Sequence, residues 1–179
     1  MPRRRLFVAV WPPEHVVAAL EKLDRPDRPG LRWTTPEQWH VTLRFLGSLE
    51  DEEEDALRVR LSRTDWGALG PREVTVGPGL VTIGRTILGI PVSGLDDLAA
   101  TAEAATATDA PLGRAQRRAF VGHLTLARAK TPAALRGLSG HPFHASWPAG
   151  AVTLVHSDLR RDGARYEVVQ TWDLRSPGD

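Results

Sequence analysis

The chain contains no cysteine. Disulfides and thiolate metal sites are therefore excluded, and the composition suits a reducing cytoplasm, where the protein is expected to reside. No apolar run approaches the roughly 20 residues of a membrane helix, so no membrane partner is expected. Charge of one sign is not in excess either: 23 Lys and Arg face 22 Asp and Glu, a net charge of +1. That balance excludes a strongly basic coat protein for nucleic acid but leaves room for a local basic cleft. The opening "MPRRRLFVAV" begins as a secretory leader would. However, "FVAV" meets Trp11-Pro12-Pro13 before an h-region of about 7–15 residues can form, and no small-residue cleavage site follows. It reads as a first strand with a basic edge.

What is present fits one soluble domain over 1–179, or two small lobes sharing a core. Hydrophobic residues make up 41% and charged residues 25%, ordinary for a globular chain large enough to bury a core. "RLFVAVW" is a strand broken by two prolines. Helices are expected over 14–23, 52–61, 95–108 and 132–138, from apolar residues at helical spacing and from caps. Ser48 is the expected cap of the second, whose acidic first turn "EDEEED" suits the positive end of the helix dipole. Strands are expected at "EQWHVTLRFLG", "REVTVGPG", "RTILGIPV" and "RAFVGHLTLAR". Three closing strands follow, "FHASWP", "AVTLVHSDLR" and "RYEVVQTWDL", with a hairpin at "RRDGAR". A helix stands before and after each of two similar strands. Two α/β halves related by a pseudo-two-fold axis would bring those strands together across a groove.

The similar strands carry one tetrad twice, His–aliphatic–Thr–Leu: "HVTL" from His40 and "HLTL" from His123. Residues two apart on a strand share a face. His40 and Thr42 therefore face one side and Val41 and Leu43 the other, and His123 and Thr125 do the same against Leu124 and Leu126. A single His-x-Thr is usually a half-exposed polar face, but chance produces two such tetrads in roughly a few chains per thousand. No Asp or Glu lies on either tetrad face, and threonine is a poor zinc ligand, so a metal site is the weaker reading. Two imidazoles without a metal are a general base and a general acid, and hydroxyls with a guanidinium are oxyanion donors. The set fits in-line attack on a phosphodiester. Strict alternation puts Arg44 on the His40 face and Arg128 on the face opposite His123, so Arg128 reaches a groove only if its strand bends near Ala127.

The chain resembles the 2H phosphoesterases, and within them the bacterial LigT-like RNA 2′,3′-cyclic phosphodiesterases, also called 2′-5′ RNA ligases. "RLFVAVWPPE", "LRWTTPEQWHVTLRFLG", "RRAFVGHLTLAR" and "LVHSDLRRDGARYEVVQTWDL" are similar to that family's opening strand, two motifs and closing hairpin. The resemblance implies an α+β, bilobal fold: two pseudo-symmetric lobes, each with an antiparallel sheet and outer helices, around a central cleft. It implies hydrolysis of RNA 3′ ends bearing 2′,3′-cyclic phosphate to a 2′-phosphate by a monomer without metal or other cofactor, and a weak reversible 2′-5′ ligation. It makes His40 and His123 the catalytic pair, with His40 as acid and His123 as base. It makes Thr42, Thr125 and Arg128 the phosphate-binding residues, with Arg44 as the alternative from strand parity. Gly122 departs from the proline that many relatives place before the second histidine.

Phe7, Trp33, Phe120 and Arg118 are candidates for nucleobase or RNA contact, although core packing competes for each aromatic. Trp11, Trp39, Trp66, Trp147 and Trp172 are read as packing residues. Arg114, Arg117 and Arg118 form a solvated loop or a track for an RNA backbone. Two rival functions remain. One is a phosphodiesterase for another small cyclic or 2′-5′-linked nucleotide, such as ADP-ribose 1″,2″-cyclic phosphate. The other is a non-catalytic RNA-end binding module, against which the duplication of both His and Thr argues.

Overall fold

The computed structural model describes residues 3–107, 112–115, 118–161 and 163–174. In chain order the elements are β1 (Arg4–Val10), α1 (Glu14–Glu21), β2 (Leu31–Trp33), β3 (Val41–Leu49), α2 (Asp51–Arg63), β4 (Arg72–Val76), β5 (Val81–Ile83), β6 (Ile87–Ser93), α3 (Asp96–Thr106), β7 (His123–Ala129), β8 (Ala145–Ala149), β9 (Ala151–Arg160) and β10 (Gly163–Asp173). The strands form one curled antiparallel sheet in the order β10-β9-β1-β3-β7-β6-β4-β8, with β2 on β7 and β5 on β6. The two expected sheets are thus the two halves of a single one. Between β3 and β7 only Val41 and Leu124 pair.

Alternation explains how the strands divide core from cleft. On β1, Leu6, Val8 and Val10 point into the main core, where Val41, Leu43, Leu124 and Leu126 meet them. Each such side chain contributes about 1.5–3 kcal/mol by leaving water. Phe7 and Ala9 point the other way and form a small second cluster with Val155. That second face is the concave one. The C-terminal strands β9 and β10 complete the half that holds the first tetrad, while β2 crosses to pair with β7.

Several local expectations need correction. Ser48 lies in β3 and does not cap α2. The cap residue is Glu50, whose backbone N–H donates to the Glu53 carboxylate at 2.9 Å. The second tetrad strand begins at His123 rather than Arg118, and the expected helix over 132–138 is a 3₁₀ turn at Pro132–Leu135. Proline at its first position permits a turn, but too few apolar residues follow at helical spacing to sustain a helix. Trp39, Trp66 and Trp147 are core residues as expected, whereas Trp11 is only half-buried and lies beside His40.

Gly122 sets the position of the second tetrad. Its carbonyl accepts from the Val92 N–H at 2.9 Å, and a Cβ at Gly122 would lie 2.4 Å from the Val92 carbonyl oxygen. A side chain there pushes β7 off β6. Gly122→Ala should lower stability by about 1–3 kcal/mol, the usual cost of overpacking. It should also lower turnover in the variant that remains folded, because His123 is the next residue. Urea unfolding together with kcat under folded conditions checks both effects.

Candidate active site

Both tetrad strands contain a bulge at the same offset. In β3 the ladder with β1 steps from Ala9↔Thr42 to Val8↔Arg44, leaving Leu43 without a partner. In β7 the ladder with β6 steps from Gly89↔Thr125 to Leu88↔Ala127, leaving Leu126 without one. An extra residue inverts the facing of everything after it. Leu43 and Arg44 therefore both turn toward the core, as do Leu126 and Ala127. The next residue on each strand, Phe45 and Arg128, turns into the cleft.

This geometry settles where the two arginines lie. Arg44 is 3% exposed and its Nε lies 2.7 Å from a Glu103 carboxylate oxygen. The Nε–H donates to the Thr106 hydroxyl at 3.2 Å. Arg44 ties β3 to α3 and does not reach the cleft, because the bulge at Leu43 reverses the parity that placed it there. Arg128 is exposed and lines the cleft, carried there by the bulge at Leu126 rather than by a strand end.

The two histidines are held alike. The Nδ1–H of His40 donates to the Gln38 carbonyl at 2.8 Å, and that of His123 to the Val121 carbonyl at 2.9 Å. Each bond runs to the residue two earlier, assigns the proton to Nδ1 and frees Nε2. Nε2 of His40 accepts from the Thr42 hydroxyl at 3.1 Å. Gln38 is itself anchored, its Nε2 donating to the Ala164 carbonyl at 2.6 Å. Thr34 ties this segment to the second tetrad strand. Its hydroxyl is shared between the Thr125 and Leu126 carbonyls, at 2.9 and 2.8 Å, and accepts from Trp39 Nε1 at 3.0 Å.

The surroundings of the two rings differ. His40 is enclosed by Phe7, Tyr166 and Trp11, at centroid distances of 4.7, 4.9 and 5.4 Å. Trp11 is fixed by its Nε1–H donating to the Thr153 hydroxyl at 2.8 Å, which in turn donates to the Ala9 carbonyl. Burial pushes the His40 pKa down from 6.5 to about 4, with the positive charges of Arg128 and His123 adding to the effect. The bond to the Gln38 carbonyl opposes the shift without cancelling it. His123 has no aromatic ring packed on it among the described residues.

The cleft between the strands has a volume of about 520 Å³. Its lining brings together His40, Thr42, His123, Thr125, Arg128 and Phe7 from the sequence-based set. It adds Arg5, Arg32, Arg160, Gln38 and Tyr166, which sequence reasoning missed, and includes no carboxylate among the described residues. Arg5 was within reach, since it shares a strand face with Phe7. Phe45 shares with Arg128 an offset of five residues from its histidine. Tyr166 comes from the far end of the chain and gave no local signal. Trp33 is not in the cleft: its Nε1–H donates to the Pro26 carbonyl at 3.1 Å, and the ring packs on the core. Phe120 also packs on the core, and Arg118 is exposed away from the lining. Arg117 lies outside the described residues. No group of three His, Asp or Glu side chains among the described residues could hold a metal ion.

Comparison with known proteins agrees with this architecture. The profile of the family described as LigT like Phosphoesterase matches residues 10–68. The RNA 2′,3′-cyclic phosphodiesterase of Thermus thermophilus is 31% identical over 187 aligned positions, covering 96% of this chain and 90% of that protein. The chain belongs to the LigT-like phosphoesterases. The crystal structure of TT0787 from T. thermophilus superposes with a TM-score of 0.77 at 29% identity, covering 97% of this chain and 99% of that one. Apo LigT of E. coli shares the fold, with a TM-score of 0.73 at 22% identity over 98% of this chain and 100% of that one. In this LigT-like phosphoesterase the duplicated tetrads, the cleft and Arg128 occupy one continuous surface.

Two outcomes follow from the geometry. Arg128→Ala should leave stability within about 0.5 kcal/mol, as for other exposed sites, and lower kcat/KM by roughly 10²-fold through loss of an oxyanion donor. Arg44→Ala should do the reverse: a loss of about 1–3 kcal/mol from leaving the Thr106 hydroxyl and the Glu103 carboxylate without their donor, with much of the catalytic activity retained in the folded fraction. Urea unfolding and steady-state kinetics on both variants separate the two roles. The second outcome concerns acid stability. Folded His40 titrates near 4, whereas the unfolded side chain takes up a proton below its ordinary 6.5. Its contribution is complete above that ordinary value and is lost as pH falls toward the folded one. His40→Asn keeps a donor for the Gln38 carbonyl without titrating. Between about pH 7.5 and about pH 5 it should lose about 1–2 kcal/mol less stability than the parent, as read from urea midpoints.

Proposed function

We propose that the protein hydrolyses the 2′,3′-cyclic phosphate at RNA 3′ ends to a 2′-phosphate by paired-histidine acid–base catalysis without a metal. The observation that carries this reading is the pair of backbone-anchored imidazoles, His40 and His123, in one basic cleft with both tetrad threonines and Arg128. A cyclic phosphodiester carries one negative charge, which suits a lining that has four guanidiniums and, among the described residues, no carboxylate, even with Arg160 paired to Asp158 beside it. The Thr42 and Thr125 hydroxyls and the Arg128 fork donate to the non-bridging oxygens, where charge builds as phosphorus becomes five-coordinate.

The reaction needs one proton taken and one given. A water oxygen bonds to phosphorus opposite O3′ as its proton passes to the base. The P–O3′ bond breaks as the acid protonates O3′, leaving the phosphate on O2′. If a 5′-hydroxyl replaces water, the same step makes a 2′-5′ linkage, so the same site would serve a reversible ligation. We assign His40 as the acid and His123 as the base. His40 is neutral in the free cleft, so it takes the acid role after the bound phosphate brings negative charge against the ring and draws a proton to Nε2.

Incubation with a short RNA ending in 2′,3′-cyclic phosphate tests the reading, and hydrolysis should persist in excess EDTA. His40→Ala and His123→Ala should each lose at least roughly 10²-fold in kcat. A substrate with sulfur in place of O3′ has a leaving group that needs little protonation. It should restore His40→Ala strongly and His123→Ala hardly at all. Restoration of His123→Ala instead reverses the assignment, and loss of activity on chelation overturns the metal-free mechanism.

A further inference from the structure

The "RRR" run near the start of the chain is split by strand alternation. Arg4 turns away from the cleft and is held by Glu54 at 2.9 Å and Glu167 at 3.5 Å. Arg3 and Arg5 share the cleft face with Phe7. Arg5 lines the cleft and its guanidinium carbon lies 4.5 Å from the centroid of the Phe45 ring. Beyond these two side chains lies a second groove of about 460 Å³, lined in part by Arg3, Arg5, Phe45, Gly47 and Arg114. Arg5 and Phe45 line both spaces, so the cleft and the groove form one path.

Arg114 is placed there by the fold. Its backbone N–H donates to the Leu46 carbonyl at 2.7 Å. The preceding Gly113, at φ 77°, lies so close that a Cβ would sit 2.5 Å from the same oxygen. Only glycine gives both that backbone angle and that approach. Two acids border the groove. Glu53 lines it and accepts the Glu50 N–H at the start of α2, and Glu50 accepts from Arg3 at 2.9 Å across an exposed surface. An exposed pair of this kind contributes little and yields readily to a phosphate. The opposite outlet, beyond Gln38 and Tyr166, holds Glu37 as well as Arg165. Among the described residues that line the two spaces, the groove on the Arg5 side sets Arg3, Arg5 and Arg114 against Glu53, whereas the opposite outlet sets one arginine against one glutamate.

We propose that this groove carries the RNA strand on the 5′ side of the reacting end, with Arg5 at the junction and Arg3 and Arg114 contacting the phosphates of preceding nucleotides. The proposal rests on the RNA-end reading above. A terminal cyclic phosphate leaves the strand only one direction in which to continue, and phosphates leaving the cleft need cations beyond it. Single strands bind through such positive grooves with a salt dependence set by the number of phosphates neutralised.

The test pairs two measurements on the full chain carrying Arg3→Ala and Arg114→Ala together, both outside the cleft. The first is anisotropy of a 5′-labelled five-nucleotide RNA ending in a 2′-phosphate, titrated at several salt concentrations. The second is kcat/KM for adenosine 2′,3′-cyclic phosphate. Affinity for the five-nucleotide RNA should fall roughly tenfold, and the slope of log K against log salt should become shallower by about 1.4. The mononucleotide kcat/KM should stay within twofold. Unchanged RNA affinity and slope overturn the proposal, and so does an equal loss on the mononucleotide, which would place the effect in the cleft. If the unmodified protein hydrolyses neither RNA nor mononucleotide, the reaction assignment fails. The anisotropy arm still decides the groove, in favour if the double variant weakens binding and flattens the slope, and against it otherwise.

Discussion

The arrangement of the cleft depends on one ladder contact, Val41 against Leu124, where the two halves of the sheet meet. Both side chains are fully buried, and each is the second residue of its tetrad. Antiparallel pairing at this point places His40 across from Thr125 and Thr42 across from His123. Both tetrads thus line one cleft, and a small anion above the junction is reached from both strands. No long ladder holds this junction. It is reinforced from outside by the Thr34 hydroxyl on the Thr125 and Leu126 carbonyls and by the Trp39 indole on Thr34. Burial of Val41 and Leu124 in the common core makes the register costly to change, since a slip of one residue would turn both histidines inward.

On this nearly symmetric frame the chemistry is asymmetric. The equivalent bulges deliver Phe45 from one strand and Arg128 from the other. One wall of the cleft therefore presents a ring with Arg5 stacked on it, and the other presents a free fork of donors. The rings against His40 come from β1 and β10 and from Trp11 just after β1, and the half that holds His123 supplies none among the described residues. A duplicated motif can therefore place two residues of the same type in different surroundings. The difference comes from what the sheet stacks over each ring and not from the motif itself.

The parts of this site that local pattern encodes were legible in the chain. Period-two alternation gave the shared face of His40 with Thr42 and of His123 with Thr125, and the duplicate tetrads indicated their partnership. The bulges were not legible. An inserted residue carries no compositional mark here: Leu43 and Leu126 are ordinary strand residues, and only their missing ladder partners reveal them. For that reason parity misplaced Arg44, and resemblance, not alternation, placed Arg128. The true cap of α2 and the enclosure of His40 escaped for a related reason. Glu50 caps because β3 runs on through Ser48, and Tyr166 meets His40 only because β10 folds back beside β9.

The buried neutral imidazole and the crowd of guanidiniums are coupled. Burial of the His40 ring among aromatic side chains disfavours its charged form, and the positive charge of Arg128 adds to this, so His40 is unprotonated near neutral pH while the cleft is empty. Asp158 pairs Arg160, while Arg5, Arg32 and Arg128 also line the space that an anion would occupy. In the proposed reaction, a phosphodiester entering the cleft pairs with the arginines and makes the protonated form of His40 favourable. Anion binding and proton uptake are therefore linked, each strengthening the other by the same free energy. Under the proposed mechanism the proton arrives with the group it is needed to cleave, which keeps the acid idle in the free protein and armed in the complex.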